Sequence, residues 1–297
     1  MTTTKIAYLG PSGTYSEKAA KKMNAIAENP EWVTKGTIED VLYAVSRSEA
    51  NIGVVPIRTH YGDVGQTIDM LHEATVLSEK GEGARINVTG YTKMPILFYL
   101  AAKNGAELSG IKREETKKEA IDACAKDLAK LIPGYQSDYL ESTAGGALKV
   151  ANSGYEVATL CTEEAMRANG LESLIPEPIR RETAFVSVAD KSYHGFGSSM
   201  DWETMVMVRL YHDRPGLLHD MTGAVQPINI RDVHLIKDRE DMNGKAGLVF
   251  MLRINADPYQ AIIATNAING TFAKEELYVP GVLPPRVTNL GSYAVIP

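Results

Sequence analysis

Two short stretches of this chain gather hydroxyls and backbone N–H groups where a helix begins, an arrangement suited to holding an anion. Gly10-Pro11-Ser12-Gly13-Thr14-Tyr15-Ser16-Glu17 follows the apolar strand Lys5 to Leu9 and opens a helix. The first N–H groups of a helix have no internal partner and lie at the positive end of its dipole, and Thr14 and Glu17 stand at the spacing of a capping box. One reading is a carboxylate seat built from Gly13, Thr14 and Tyr15; the plainer one is a glycine turn with an ordinary cap. Ser142-Thr143-Ala144-Gly145-Gly146-Ala147 repeats the pattern at the start of another apolar-periodic helix, and the repetition favours the anion site.

Such helix starts need strands behind them. From Lys5 to about Lys191, short apolar strands alternate with amphipathic helices, the pattern of an α/β sandwich with a mostly parallel sheet. Strands are expected at Ile6 to Leu9, Ile52 to Pro56, Ile96 to Leu100, Val157 to Leu160 and Phe185 to Val188. Helices are expected at Ser16 to Ile26, Ile38 to Ser46, Val64 to His72, Lys117 to Lys130, Ala144 to Ala151 and Thr162 to Ala168. Lys117 and Lys118 fall in the charged run Lys112 to Glu119, which reads as a solvated helix face. A polar segment with Gly195, Gly197, Ser198 and Ser199 carries no periodicity and reads as a linker over 192–202. Beyond it the order becomes β-α-β-β-α-β, the ferredoxin-like motif, with Asn243-Gly244 as the hairpin signal between its middle strands. Met205 and Met207 alternate along its first strand as core residues. The expected domains are 1–191 and 203–297.

Composition removes several classes of function. A chain of 297 residues with 44% hydrophobic composition has room for two domains and a large core. A net charge of -6 argues against nucleic-acid binding, which needs a concentrated basic face. Cys124 and Cys161 lack metal spacing and read as buried free thiols of a reducing cytoplasm. No apolar run has the length of a membrane span or the form of a signal peptide, so a cytoplasmic protein without membrane contact is expected.

Taken together, the motifs resemble the prephenate dehydratase family over nearly the whole chain. The matches are Gly10 to Glu17; Gly53-Val54-Val55-Pro56-Ile57 with Gly62 and Gln66-Thr67-Ile68-Asp69; Ser142-Thr143-Ala144; Thr183 with Phe185; Arg214-Pro215-Gly216-Leu217-Leu218; and Leu290-Gly291-Ser292-Tyr293. The resemblance implies a periplasmic-binding-protein-like catalytic domain of two subdomains, with the site in the cleft between them, followed by an ACT regulatory domain. It also implies prephenate as substrate, held by Gly13, Thr14, Tyr15, Thr59, Ser142, Thr143, Ala144 and Phe185, with neither metal nor organic cofactor.

Several family positions are changed. Where the dehydratases carry Glu-Asn-Ser after Pro-Ile, this chain reads Arg58-Thr59-His60-Tyr61-Gly62-Asp63. Their Thr-Arg-Phe signature appears as Thr183-Ala184-Phe185, and their Ser-His-Pro-Gln as Thr116-Lys117-Lys118-Glu119. In the family that threonine is assigned as the acid that protonates the departing hydroxide, a feeble acid unless neighbours orient and support it. The losses therefore weaken expulsion of the hydroxyl, as in the family's prephenate decarboxylase branch, which removes carbon dioxide without aromatisation. That reading leads. It makes Arg58 a carboxylate clamp and His60 or Tyr61 the proton donor, with Thr183 retained as a catalytic candidate. The alternatives are an authentic dehydratase with an altered site and a non-catalytic metabolite sensor. Arg214-Pro215-Gly216 still implies an ACT fold able to pair side by side, hence a homodimer or homotetramer, and replacement of the Glu-Ser-Arg-Pro effector signature by His234-Leu235-Ile236-Lys237 implies little sensitivity to phenylalanine.

Overall fold

A computed structural model describes residues 3–25, 27–60, 62–82, 84–140, 143–190, 202–210, 214–240, 246–273 and 286–296. In chain order the first elements are β1 (Thr4–Leu9), α1 (Tyr15–Met23), β2 (Pro30–Lys35), α2 (Ile38–Ser46), β3 (Ile52–Thr59), β4 (Gly62–Asp63), α3 (Gly65–Lys80) and β5 (Asn87–Lys103). There follow β6 (Arg113–Lys117), α4 (Lys118–Leu131), β7 (Gln136–Leu140), α5 (Thr143–Ala151), β8 (Val157–Cys161), α6 (Glu163–Ala168), β9 (Leu171–Ser173) and β10 (Ile179–Ala189). The last are β11 (Trp202–Leu210), α7 (Leu217–Ala224), β12 (Ile230–Glu240), β13 (Ala246–Ile254), α8 (Pro258–Ala273) and β14 (Arg286–Ile296). The chain divides into two compact units, Met1–Met94 with Ala184–Pro297, and Pro95–Thr183.

In the first unit β1 lies between β2 and β3, parallel to both, and β10 runs antiparallel to β3. Ile6, Ala7 and Tyr8 are all buried, as expected of a parallel strand covered on both faces. Helix α2 shows how local sequence fixes an element. Thr37 accepts the Asp40 N–H at 3.0 Å, and Ile38, Val41, Leu42 and Val45 form one buried stripe at helical spacing.

The segment from β11 to β14 has the expected β-α-β-β-α-β order, with strands arranged β12-β13-β11-β14. Period-two alternation along β11 sends its side chains into two different cores. Val206, Val208 and Leu210 pack with Leu217 and Met221 of α7 and Ile268 and Phe272 of α8. Met205 and Met207 face the other way, into a core shared with Val41, Ile57, Ile68 and Tyr91. The buried Arg209 guanidinium is ion-paired with Glu79 at the end of α3. This β-α-β-β-α-β sheet therefore shares its core with the N-terminal strands and helices of the same unit.

In the second unit β6 pairs in parallel with β7 and β8, and β8 and β9 pair antiparallel with β5. Helix α4 packs on one core through Ile121, Cys124 and Leu128, and α5 on another through Ala147 and Val150. Cys124 and Cys161 are free and buried, and burial pushes both thiols up to about 12.

The charged run Lys112 to Glu119 differs from expectation. Residues 113–117 form strand β6, and only from Lys118 onward is the chain helical. Lys117 and Lys118 are exposed, but Glu114 and Glu115 are buried, at 0% and 2% relative exposure. Glu115 is neutralised by Lys149 of α5 at 2.9 Å, while Glu114 accepts the Leu160 N–H at 3.1 Å. Charge patterning hid the strand because each glutamate meets its partner far along the chain. Strands β2, β7 and β9 are likewise additional to the sequence reading. The linker residues 192–201 and the Asn243-Gly244 hairpin lie outside the described residues, and β11 begins at Trp202.

Burial pushes the Glu114 carboxyl from 4.5 up to about 8. The folded protein thus favours the neutral acid, so the stability that Glu114 contributes is complete below about pH 4.5 and is lost as pH rises toward about 8. Glu114→Gln should remove that loss. The melting temperature of the wild type relative to the variant should fall steadily between acidic and mildly alkaline buffer. A difference independent of pH would show that Glu114 is not held neutral.

Candidate functional site

Parallel pairing decides which loops share an edge of a sheet. Because β1 and β3 run parallel, with Tyr8 opposite Val54, the Gly10 to Glu17 turn and the hairpin that follows Ile57 leave the sheet at the same edge. The carboxyl edge of such strands is where open α/β sheets bind ligands.

At the start of α1, Gly13 holds a φ of +85°, a conformation glycine adopts without strain. Thr14 is the cap, accepting the Glu17 N–H at 3.4 Å. The return bond of the capping box goes one residue further back, with the Gly13 N–H donating to Glu17 at 2.6 Å. Lys21 pairs with the same carboxylate at 2.8 Å, and Lys21 with the Gly13 N–H holds it below its usual carboxylate range. One N–H of the predicted anion seat is thus already engaged by the chain's own carboxylate. Tyr15 packs beside the core formed by Ile6, Ala19 and Val54, with the Lys18 ammonium 5.0 Å from its ring centre.

The hairpin pairs Arg58 with Asp63 and Thr59 with Gly62, the Thr59 hydroxyl donating to the Gly62 carbonyl at 3.4 Å. His60 is exposed at the turn, and Tyr61 lies outside the described residues, as does Ser142. Arg58, with 45% of its side chain exposed, is ion-paired with Asp232 of β12 and lies 3.7 Å from Asp63. The Asp232 hydrogen bond raises the guanidinium pKa further. His234, two residues along β12, places Nδ1 2.7 Å from Asp63. Arg253 of β13 binds Asp232 through Nε at 2.8 Å and Glu203 at 2.7 Å, and covers the Tyr91 ring at 4.3 Å. Burial pushes the Asp232 carboxyl up, but hydrogen bonds from Arg253 and Arg58 outweigh it and leave the pKa lowered. Burial also pushes the Tyr91 phenol up to about 12.

Asp232 and Arg253 were not singled out from sequence, Asp63 was read only as the end of the changed loop, and His234 only as part of the replaced effector signature. The available signal was the polar-apolar alternation Asp232-Val233-His234-Leu235, which puts both polar side chains on one face of a strand. On the neighbouring strand β10, Ala184 sits directly across from Arg58. Phe185 is only 2% exposed and packs among Tyr8, Ile52 and Val54, which makes it part of the core beneath this edge.

In the second unit β6 and β7 are parallel, with Lys117 opposite Leu140, so α4 and α5 also begin at one edge. Thr143 opens α5. A Cβ at Gly146 would lie 2.6 Å from both the Glu115 carbonyl and the Thr159 hydroxyl, so only glycine lets this helix start approach the sheet so closely. Thr183 is half-buried in β10.

A family model described as prephenate dehydratase matches residues 6–191, and the chain belongs to the prephenate dehydratase family. It is 25% identical over 254 residues to a bifunctional chorismate mutase/prephenate dehydratase of Pseudomonas aeruginosa, covering 84% of this chain and 64% of that protein. The chain thus spans less than two thirds of that relative's length. It is 27% identical over 259 residues to a prephenate dehydratase of Mycobacteroides abscessus, covering 84% of this chain and 79% of that protein. The crystal structure of the prephenate dehydratase from Staphylococcus aureus superposes with a TM-score of 0.69 at 20% identity, covering 97% of this chain and 99% of that one, a likeness of fold. Among the described residues no helix is long and apolar enough to cross a membrane.

The close approach at Gly146 yields a direct test. Gly146→Ala should cost about 1–3 kcal/mol of stability through overpacking, read as a lower melting temperature. An unchanged melting temperature would mean that α5 can draw back from the sheet without loss.

Proposed function

We propose that this chain is a lyase acting on prephenate, and that it catalyses the decarboxylating dehydration for which its family is named. In that reaction the bond from the ring to its carboxylate breaks. Its electron pair enters the ring, and the ring hydroxyl leaves as water after gaining a proton. Phenylpyruvate and carbon dioxide result. The chemistry needs a proton source at the hydroxyl and a cation for the carboxylate that stays.

The observation that carries this reading over the non-aromatising one is the pairing of Ala184 with Arg58. The pair sits at a register shift between Ala184 and Phe185, and Arg58 lies across from Ala184 on the adjacent strand. In this reading Arg58, across from Ala184 on the neighbouring strand, supplies the guanidinium missing from the Thr-Arg-Phe position beside the retained Thr183. The names of the relatives support the same reading. In it Thr183 supplies the acid, Arg58 holds a carboxylate, the N–H groups at Thr14 and Thr143 support anionic groups, and His60 borders the site. Residues 1–191 are read as the catalytic part and 203–297 as an ACT-type domain, joined through 192–202.

A second reading, decarboxylation without loss of the hydroxyl, is favoured by the absent Glu-Asn pair and by the carboxylates of Asp63 and Asp232 that already engage Arg58. Product analysis separates the two. Incubation of the full chain with prephenate should yield phenylpyruvate, and Thr183→Ala and Arg58→Ala should each lower its formation by a factor of about a hundred. A non-aromatic keto acid as main product, formed undiminished by Thr183→Ala, would establish the second reading. Unchanged prephenate would exclude both. Added phenylalanine should leave turnover unaltered, because His234 to Lys237 replaces the family's effector contacts.

A further inference from the structure

The hairpin that carries Arg58 is short, and its β4 arm has two residues. The β3 arm is held in the sheet by β1 and β10, whereas β4 is paired with β3, so the short arm gains its orientation from further contacts. Arg58 and Asp63, its directly opposed pair, both reach the same strand of the β-α-β-β-α-β segment. Arg58 meets Asp232, and Asp63 meets His234 at 2.7 Å. Asp232 and His234 are two residues apart and face the same way, so the two contacts form a two-point clasp that fixes the orientation of the hairpin as well as its place. The anchoring side is itself braced: Asp232 lies opposite Arg253 in the β12–β13 ladder, and Arg253 is held by Glu203. Arg253 retains only 12% of its side-chain exposure, which limits the freedom of the whole assembly.

We propose that Asp232 and His234 are positioning residues of the reaction, holding Arg58 and Asp63, the two arms of the hairpin, in register. The proposal rests on the lyase reading for its catalytic part, whereas the clasp itself stands on geometry. Asp232 acts through the guanidinium: one carboxylate contact fixes the plane of a group with five donors and leaves others for a substrate carboxylate. His234 acts through Asp63, on the opposite arm of the hairpin.

The test compares the full chain with Asp232→Asn, Asp232→Glu and His234→Ala in two measurements. The first is amide hydrogen exchange over residues 58–63, which does not depend on any activity. Both Asp232→Asn and His234→Ala should raise exchange there while β11 and β13 keep their protection. The second is turnover of prephenate. Asp232→Asn and His234→Ala should raise KM on the order of tenfold with kcat little altered, and Asp232→Glu should restore part of the loss. Unchanged exchange in the hairpin of both variants would overturn the clasp. Raised exchange with unchanged KM and kcat would overturn the positioning role. Raised exchange in a protein whose wild type does not turn over prephenate would refute the lyase reading while leaving the clasp intact. A global fall in protection in one variant leaves the other to decide, since the two cut different arms.

Discussion

Strand β11 is buried on both faces, and much of the first unit depends on that. One set of its side chains closes the core under α7 and α8; the other, Met205 and Met207, completes a core begun by the N-terminal elements. Neither face can be exposed without uncovering large apolar surface, at roughly 25 cal/mol for each Å². The C-terminal sheet therefore behaves as a layer of the N-terminal fold. Its strands β12 and β13 are held at a fixed distance from the hairpin after β3, close enough for Arg58, Asp63, Asp232 and His234 to meet.

Ion pairs at that seam do a different job from the apolar contacts beneath them. Partly exposed pairs add little stability, since screening and side-chain entropy offset most of the attraction. Their geometry is directional, however, and directionality is what a loop with a two-residue arm lacks. Burial supplies cohesion, and the charges supply orientation.

How far the site could be read from sequence follows from how local its interactions are. The Thr14 cap and the helical periodicity of α2 involve neighbours within one or two turns, and the sequence pattern announced both. The alternation of Met205 and Met207 likewise revealed a buried strand. The partner of Arg58 lies 174 residues away, and no local pattern indicates it. Charge composition misled at β6 for the same reason: Glu114 and Glu115 look solvated until the distant Leu160 N–H and Lys149 are brought beside them. The plan of the N-terminal part, with its strand, turn and capped helix, was legible; the side-chain partners that set the charge of its edge were not.

That charge matters for the proposed function, whose substrate is an anion. Around Arg58 the cations Arg231 and Arg253 stand against the carboxylates of Asp63, Asp232 and Glu203, so three guanidinium groups are matched by three carboxylates. A balanced cluster attracts a distant anion weakly, and Arg58 must act by contact rather than by long-range pull. Contact requires orientation, which an ammonium on a flexible stem would lose and a planar guanidinium fixed by one carboxylate keeps.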